Sequence, residues 1–327
     1  MQVAKTVVGI DVSKDSLAVC YLEQDRPQHL EVSNSKAGFQ QLIRRGGKES
    51  AYVMEATGVY YLALAYYLVE QGAQVTVVNP LVVRRFIQMH LGKGKTDRKD
   101  AQWLLRYGQQ QPLPAWQPDD TVLVHCRQLE QVSEQLIRQR TMVDNSLQAL
   151  ELQPVVSPVA RKRLQQTWQQ LDRQVQALEE ELLTTLEQHY AREMPLLRSI
   201  PGIGRKTAAL LLLFAKGFTQ VDNYRQLIAK AGLCPREYSS GTSVHGKTHI
   251  SRMGGSLIRG KLFMCSFSAK KSNVACKALY DRLLAKGKNR KLALIAVCNK
   301  LLKQACAIVK SGVPYQAEFT SKFVPNT

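Results

Sequence analysis

Several acidic residues in the first third of the chain have the types and settings for phosphate chemistry. Asp11 closes the short apolar run Val7-Val8-Gly9-Ile10, and Glu55 closes another, Ala51-Tyr52-Val53-Met54. β-Branched residues suit a pleated strand and both runs are too short for a helix, so each is predicted to be a buried strand ending in a carboxylate. An acid at the tip of the first strand of a hairpin-led α/β domain recurs where a sheet presents metal-binding carboxylates to a phosphate. Asp97 and Asp100 stand where the glycine-broken basic loop Gly92-Lys93-Gly94-Lys95-Thr96 runs into Gln102-Trp103-Leu104-Leu105. Their spacing places both on one side of a first helical turn. Each acid also has a purely structural use, as a turn former or as a helix cap favoured by the dipole.

A second group lies in the last third. The polar stretch Gly232 to Lys247 carries Ser239-Ser240-Gly241-Thr242-Ser243, bracketed by Arg236, Lys247 and Arg252. Cations beside a hydroxyl stabilise developing phosphoryl charge and favour the alkoxide, so this loop could supply a nucleophile, although Ser and Gly clusters also make ordinary turns. His245 and His249 have the i, i+4 spacing of one helix face, but with no third ligand nearby no zinc site is predicted. Pro201-Gly202-Ile203-Gly204, between two apolar helical runs, has the form of a helix-hairpin-helix turn. Gly202 and Gly204 would let backbone N–H groups approach a phosphate, with Arg205 and Lys206 beside them. From charge and position, Lys93 and Lys95 are expected to contact the nucleic-acid backbone near the acids, Arg236 and Arg252 near the serines. Lys247 and Arg259 complete the expected basic face.

The charge distribution supports a phosphate-binding surface. Of the formal net charge of +19, residues 1–110 hold 14 Lys and Arg against 10 Asp and Glu, 111–190 hold 7 against 11, and 191–327 hold 24 against 5. An excess so concentrated is the footprint of backbone neutralisation, and binding should weaken steeply with salt. An anionic membrane is a poorer partner, because no lipidation signal accompanies the charge and the longest apolar run, Ala208 to Ala215, is too short to span a bilayer. No signal-peptide pattern leads the chain, and seven cysteines without paired spacing read as reduced thiols. The expectation is a cytoplasmic, nucleoid-associated protein.

The elements that must position these groups read in order as α/β and then all-α. Strands at 7–12, 16–22 and 29–32, a helix at 36–45, a strand at 51–55, a helix at 60–70, a strand at 75–78 and a further helix follow the order of a ribonuclease H-like domain. Doubly wound nucleotide folds compete, but Asp-Val-Ser-Lys-Asp stands where their Gly-rich loop belongs. Residues 121–190 carry a heptad seam: Val122, Leu129, Val132, Leu136, Val143 and Leu150, then Leu164, Trp168, Leu171, Val175, Leu178 and Leu182 after Pro154 and Pro158. Two long antiparallel helices, or a coiled coil between chains, are predicted. Helices at 255–268, 275–285 and 291–310 finish the chain. Three domains are expected: 1–112, 113–192 and 193–327.

Gly-Ile-Asp-Val-Ser-Lys at Asp11, Glu-Ala-Thr-Gly-Val-Tyr at Glu55, Asn79-Pro80, Lys95-Thr96-Asp97 with Asp100-Ala101, Ile200-Pro-Gly-Ile-Gly, and Ala231-Gly-Leu-Cys-Pro-Arg leading to Ser239-Ser240-Gly-Thr-Ser occur together and in order. In this set, and in Lys310-Ser-Gly-Val-Pro, the chain resembles the DEDD insertion-sequence transposases, insertion sequence family one hundred and ten. The resemblance implies a RuvC-like domain whose acids, here Asp11, Glu55, Asp97 and Asp100, hold Mg2+. It also implies a C-terminal transposase domain with a serine nucleophile, Ser240 by its place before Gly-Thr-Ser-Val, with adjacent Ser239 as the other register. Further implications are a structured guide RNA that pairs with element ends and with target, double-stranded DNA as substrate, and dimers that pair into tetramers. The residues agree: carboxylate oxygens suit a hard cation, and attack by serine conserves bond energy where hydrolysis does not. Two other readings stand beside this one, a RuvC-like nuclease or junction resolvase using metal-activated water, and a helix-hairpin-helix binder whose acids are structural.

Overall fold

The computed structural model describes residues 6–92, 94, 96–236, 239–240, 244–246, 249–251 and 253–318. By internal contacts the chain divides into two compact units, Met1–Asp119 and Asp120–Thr327. The first runs β1 (Val7–Val12), β2 (Ser16–Glu23), β3 (Arg26–Ser33), α1 (Lys36–Gly46), β4 (Ala51–Glu55), α2 (Leu62–Glu70), β5 (Gln74–Val78), α3 (Pro80–Met89) and α4 (Asp97–Gln110). Its five strands form one sheet in the order β3-β2-β1-β4-β5. β1, β2 and β3 are antiparallel neighbours, whereas β4 pairs parallel with β1, and β5 with β4.

Strand periodicity sorts the side chains onto two buried faces. Val8, Ile10, Val12, Tyr52 and Met54 pack with Phe39 and Leu42 of α1 and Leu64 and Leu68 of α2. Val7, Val53 and Cys20 pack on the opposite face with Val83 of α3 and Ala101, Leu104 and Leu105 of α4. Because both faces are covered, the central strands are continuous apolar runs. The outer edge of β5 is covered as well: Trp116 N donates to Val75 O at 2.7 Å and Thr76 Oγ1 to Pro114 O at 3.0 Å.

Close approach of α4 to the sheet depends on two glycines. A Cβ at Gly9 would lie 2.2 Å from both Ala101 O and Leu105 N, and one at Gly108 would lie 2.6 Å from Val7 Cγ1. Gly9→Ala therefore forces helix backbone off strand backbone. We expect a loss of about 1–3 kcal/mol, the usual range for overpacking, read as a fall of several degrees in the thermal unfolding midpoint by circular dichroism. An unchanged midpoint would mean that α4 does not pack as described.

The second unit runs α5 (Thr121–Glu151), α6 (Pro158–His189), α7 (Glu193–Arg198), α8 (Arg205–Ala215) and α9 (Tyr224–Lys230), then β6 (Pro235–Arg236), β7 (Ser239–Ser240), β8 (Val244–His245) and β9 (His249–Ile250), then α10 (Ser256–Ser272), α11 (Val274–Ala285) and α12 (Arg290–Ser311). α5 and α6 form the expected antiparallel hairpin, tied by Arg140 to Asp172 and by Arg161 to Glu151. The seam departs from the expected one at one point: Val132 is 45% exposed while Ser133 is buried. Leu123, Cys126, Leu182, Leu183 and Leu186 belong to the same buried cluster as α8, α10 and α12, so the base of this hairpin shares a core with the C-terminal helices. α12 is long and apolar enough to cross a membrane by length and composition, yet Ala293, Leu294, Val297, Cys298, Leu301, Leu302 and Ala305 form one side of that core. All seven cysteines are free thiols, and burial raises Cys276 and Cys298 to about 12.

Candidate functional site

The first unit brings four acids from three separate stretches toward one end of one sheet face. Ile10 pairs with Met54, so Asp11 and Glu55 are the next residues at matched positions on neighbouring parallel strands. Parallel neighbours lie about 4.8 Å apart and matched residues share a face. Two residues back along β1, Gly9 meets the backbone of α4 at Ala101–Leu105, whereas Gly108 near the helix end meets Val7. α4 thus runs opposite to β1, and its first turn, with Asp97 and Asp100, reaches the end of the sheet that carries Asp11. Thr96 caps that turn by accepting from Lys99 N at 3.3 Å. Asp97 is exposed, and Asp11, Glu55 and Asp100 are half-buried. The expected basic contacts Lys93 and Lys95 lie outside the described residues.

The loops that follow the two strand ends are tied together. Ser13 Oγ donates to Ser16 O at 2.8 Å and closes the turn after Asp11. After Glu55, Thr57 Oγ1 donates to the carboxylate Oε1 at 3.0 Å. Asn34, at the end of β3, donates from Nδ2 to Ser13 O at 2.9 Å and to Tyr60 O at 3.2 Å, joining one loop to the other. Carboxylate oxygens are the donor type that a hard divalent cation takes. The set is open: among the described residues no three His, Cys, Asp or Glu side chains stand close enough to hold a metal ion.

The serine stretch is a ladder, contrary to the expected plain loop. Pro235 and Arg236 of β6 pair with Ile250 and His249 of β9, and inside them Ser239 and Ser240 of β7 pair with His245 and Val244 of β8. Ser240 is the last paired residue before the tip. His245 and His249 fall on two different strands, so their i, i+4 spacing has no helical meaning. The side chains of Ser239, Ser240 and His245, and the residues Lys247 and Arg252, lie outside the described set. The base of the ladder is fixed by Ser251 N to Cys234 O at 2.9 Å and Gly255 N to Lys230 O at 3.1 Å. Arg259, expected on the nucleic-acid face, donates to Ala231 O at 2.8 Å and Gly254 O at 3.3 Å and so staples that base. Arg236 is exposed.

The glycine turn before α8 is built differently from a simple phosphate cradle. Gly202 has φ +101°, and a Cβ there would lie 2.7 Å from Ala269 Cβ of α10, so the residue is needed for packing. Gly204 is open and starts α8. Arg205 makes two forked pairs, with Glu187 at 2.8 Å and with Glu180 at 2.9 and 3.0 Å, and Lys206 pairs with Glu179. Both cations predicted for phosphate are engaged by acids of α6. Sequence reading missed this because the acids lie 18 to 27 residues upstream, on the far side of α7, and meet the cations only when α6 packs beside α8.

Hydrogen bonds from Arg205 hold the carboxyls of Glu180 and Glu187 below their ordinary value of 4.5. A depressed carboxyl contributes stability that is present above its unfolded pKa and lost as pH falls through the folded one. Arg205→Ala is therefore expected to lower the unfolding midpoint modestly at pH 7, as befits exposed pairs. The difference from wild type should vanish below the ordinary carboxylate range in a pH series of thermal melts. A difference that persists there would assign the role of Arg205 to packing.

Comparison with known proteins bears on both units. Residues 8–153 match a family model described as Transposase, of the DEDD IS110 type, and residues 194–281 match the model described as Transposase IS116/IS110/IS902 family. The chain is 30% identical over 327 residues to the pilin gene-inverting protein of Moraxella lacunata, covering 95% of this chain and 98% of that one. It is 24% identical over 288 residues to the transposase for insertion sequence element IS1328 of Yersinia enterocolitica, covering 80% of this chain and 83% of that one.

Proposed function

This chain belongs to the IS116/IS110/IS902 family of transposases, and from that premise we propose that it is an RNA-guided DNA recombinase that excises and inserts its own element through a phosphoserine intermediate. The observation that carries the reading is the convergence of Asp11, Glu55, Asp97 and Asp100 on one end of a β3-β2-β1-β4-β5 sheet, which we take as ribonuclease H-like. These four carboxylates are the residues that would hold Mg2+, and when bound the ion stabilises charge on the phosphate oxygens. Ser240 at the tip of its ladder is the nucleophile. Its oxygen forms a bond to phosphorus as the phosphodiester bond breaks, and the serine proton ends on the departing strand hydroxyl. A new strand end then reverses the step, so bond energy is conserved. Exposed Arg236, with Lys247 and Arg252, neutralises phosphate beside the serine, and Lys93 and Lys95 do so beside the acids. Gly204 and the free N–H groups of α8 face the backbone. Base pairing by a guide RNA supplies sequence choice, and the active assembly is a dimer or tetramer.

The test is incubation of the purified protein and its copurifying RNA with end-labelled DNA, resolved on denaturing gels. A recombinase leaves a protein-linked strand and joined products that depend on the RNA. Simple hydrolytic nicks would favour the nuclease reading, and full activity without RNA would defeat guidance. A second reading, inversion of a DNA segment, is favoured by the name of the near-full-length relative, the pilin gene-inverting protein. The same break-and-rejoin chemistry excises between sites in one orientation and inverts between sites in the other. Plasmids carrying the two arrangements separate these outcomes.

A further inference from the structure

We propose that Asn34 is a positioning residue that sets the separation of Asp11 and Glu55 and thereby the affinity of the acid site for its cation; this rests on the metal-holding reading of those acids. The ladder between β1 and β4 stops at Ile10 and Met54, one residue short of Asp11 and Glu55, which are paired instead with Ala18 of β2 and Val78 of β5. Beyond that point no pairing joins β1 directly to β4. The tie is supplied from β3: the Asn34 amide bonds Ser13 O, two residues past Asp11, and Tyr60 O, five residues past Glu55. Its backbone N–H also donates to Asp15 O at 3.0 Å, so the strut is anchored at both main chain and side chain. One side-chain amide thus spans the two loops that leave the carboxylates.

The geometry has a second feature. Asn34 Oδ1 is buried with no hydrogen-bond partner, although both donor hydrogens of the same amide are used. An unpaired buried acceptor costs stability. Replacement by an apolar group of the same size relieves that orphan acceptor but removes two hydrogen bonds, so the net change in stability is small, whereas the spacing of the two loops is lost. Mutual repulsion between Asp11 and Glu55, side by side on neighbouring strands, acts to spread them. The strut opposes this spreading, as outer groups do when they orient metal ligands.

The experiment measures Mn2+ binding to the full-length protein by electron paramagnetic resonance, with thermal unfolding recorded on the same samples. Asn34→Leu keeps the volume and removes both donors and the orphaned acceptor. We expect the Mn2+ concentration for half-saturation to rise about 10- to 100-fold, the range seen when groups that orient metal ligands are removed, with only a small change in the unfolding midpoint. DNA cleavage by the variant should be restored in part by raised Mg2+. If Asn34→Leu does not fold, Asn34→Ala is read in its place. A folded variant with wild-type half-saturation overturns the proposal. Asp11→Asn, titrated alongside, separates the two layers: if it too binds Mn2+ normally, the metal reading itself has failed, and if it alone loses binding, only the role of Asn34 has.

Discussion

Ser240→Ala is expected to leave DNA bound and to abolish the proposed covalent protein–DNA adduct, with strand exchange falling on the order of 10³-fold or more, as when a catalytic nucleophile is removed. The expectation follows from where the chain puts the residue. Ser240 pairs with Val244 in the two-stranded β7–β8 ladder, which lies along the chain inside the β6–β9 pair, and the base of that outer pair is fixed by Arg259 and by main-chain bonds. Ser239 pairs with His245 and Ser240 with Val244, and it is Ser240 that stands directly before Gly-Thr-Ser-Val. Only one of them is therefore expected to serve, and Ser239→Ala should retain the adduct. Labelled DNA on a denaturing protein gel reads both variants. Loss of the adduct in Ser239→Ala with survival in Ser240→Ala would move the nucleophile by one residue, and survival in both would remove serine from the chemistry. Arg259→Ala gives an internal control, because that side chain bonds the carbonyls of Ala231 and Gly254 at the base of the strands; the adduct should weaken in proportion to the loss of fold.

How much of this was legible in the sequence depended on whether the signal was local. Short apolar runs closed by Asp11 and Glu55 announced two strands, and both occur where expected. β3 proved longer than the expected 29–32 because the β2–β3 turn is made by Gln24 and Asp25, both at positive φ, with Glu23 paired to Arg26. Such two-residue turns are ordinarily signalled by Asn-Gly or Asp-Gly, and Gln-Asp gives no such cue. The heptad seam located α5 and α6, but Ser133 takes a buried place that the apolar pattern assigned to Val132. Strand propensity could not reveal the serine ladder, since Ser, Gly and Thr between cations read as a turn. The non-local bonds were invisible altogether. Nothing near Arg205 in the chain foretells Glu180 and Glu187, and nothing near Asn34 foretells Tyr60. Those pairings exist only once helices and strands have packed, which is also why the basic residues of the glycine turn were assigned to phosphate rather than to α6.

Asp11→Asn is expected to lower DNA cleavage on the order of 10³-fold or more while leaving DNA affinity within about twofold and stability unchanged or raised. The side chains are nearly isosteric, so packing beneath α4 is preserved, and what is lost is one negative charge at the end of β1. A hard cation is held by charged oxygen donors, and a neutral amide in place of the central carboxylate weakens that hold while leaving the fold intact. Removing one of two adjacent like charges relieves repulsion with Glu55, which is the reason for expecting no loss of stability. DNA affinity should persist because the cationic excess lies in residues 191–327, in a different part of the chain from Asp11. The outcome separates the remaining alternatives. A binder with structural acids would show Asp11→Asn with normal function and lowered stability, and a recombinase shows the reverse. Replacing Mg2+ by Ca2+ in the wild-type protein should mimic the variant, since Ca2+ fills an oxygen site with looser geometry. If cleavage proceeded at the wild-type rate in Asp11→Asn, or in wild type stripped of divalent ions by chelation, the acids would have no catalytic part and Ser240 would have to act without them.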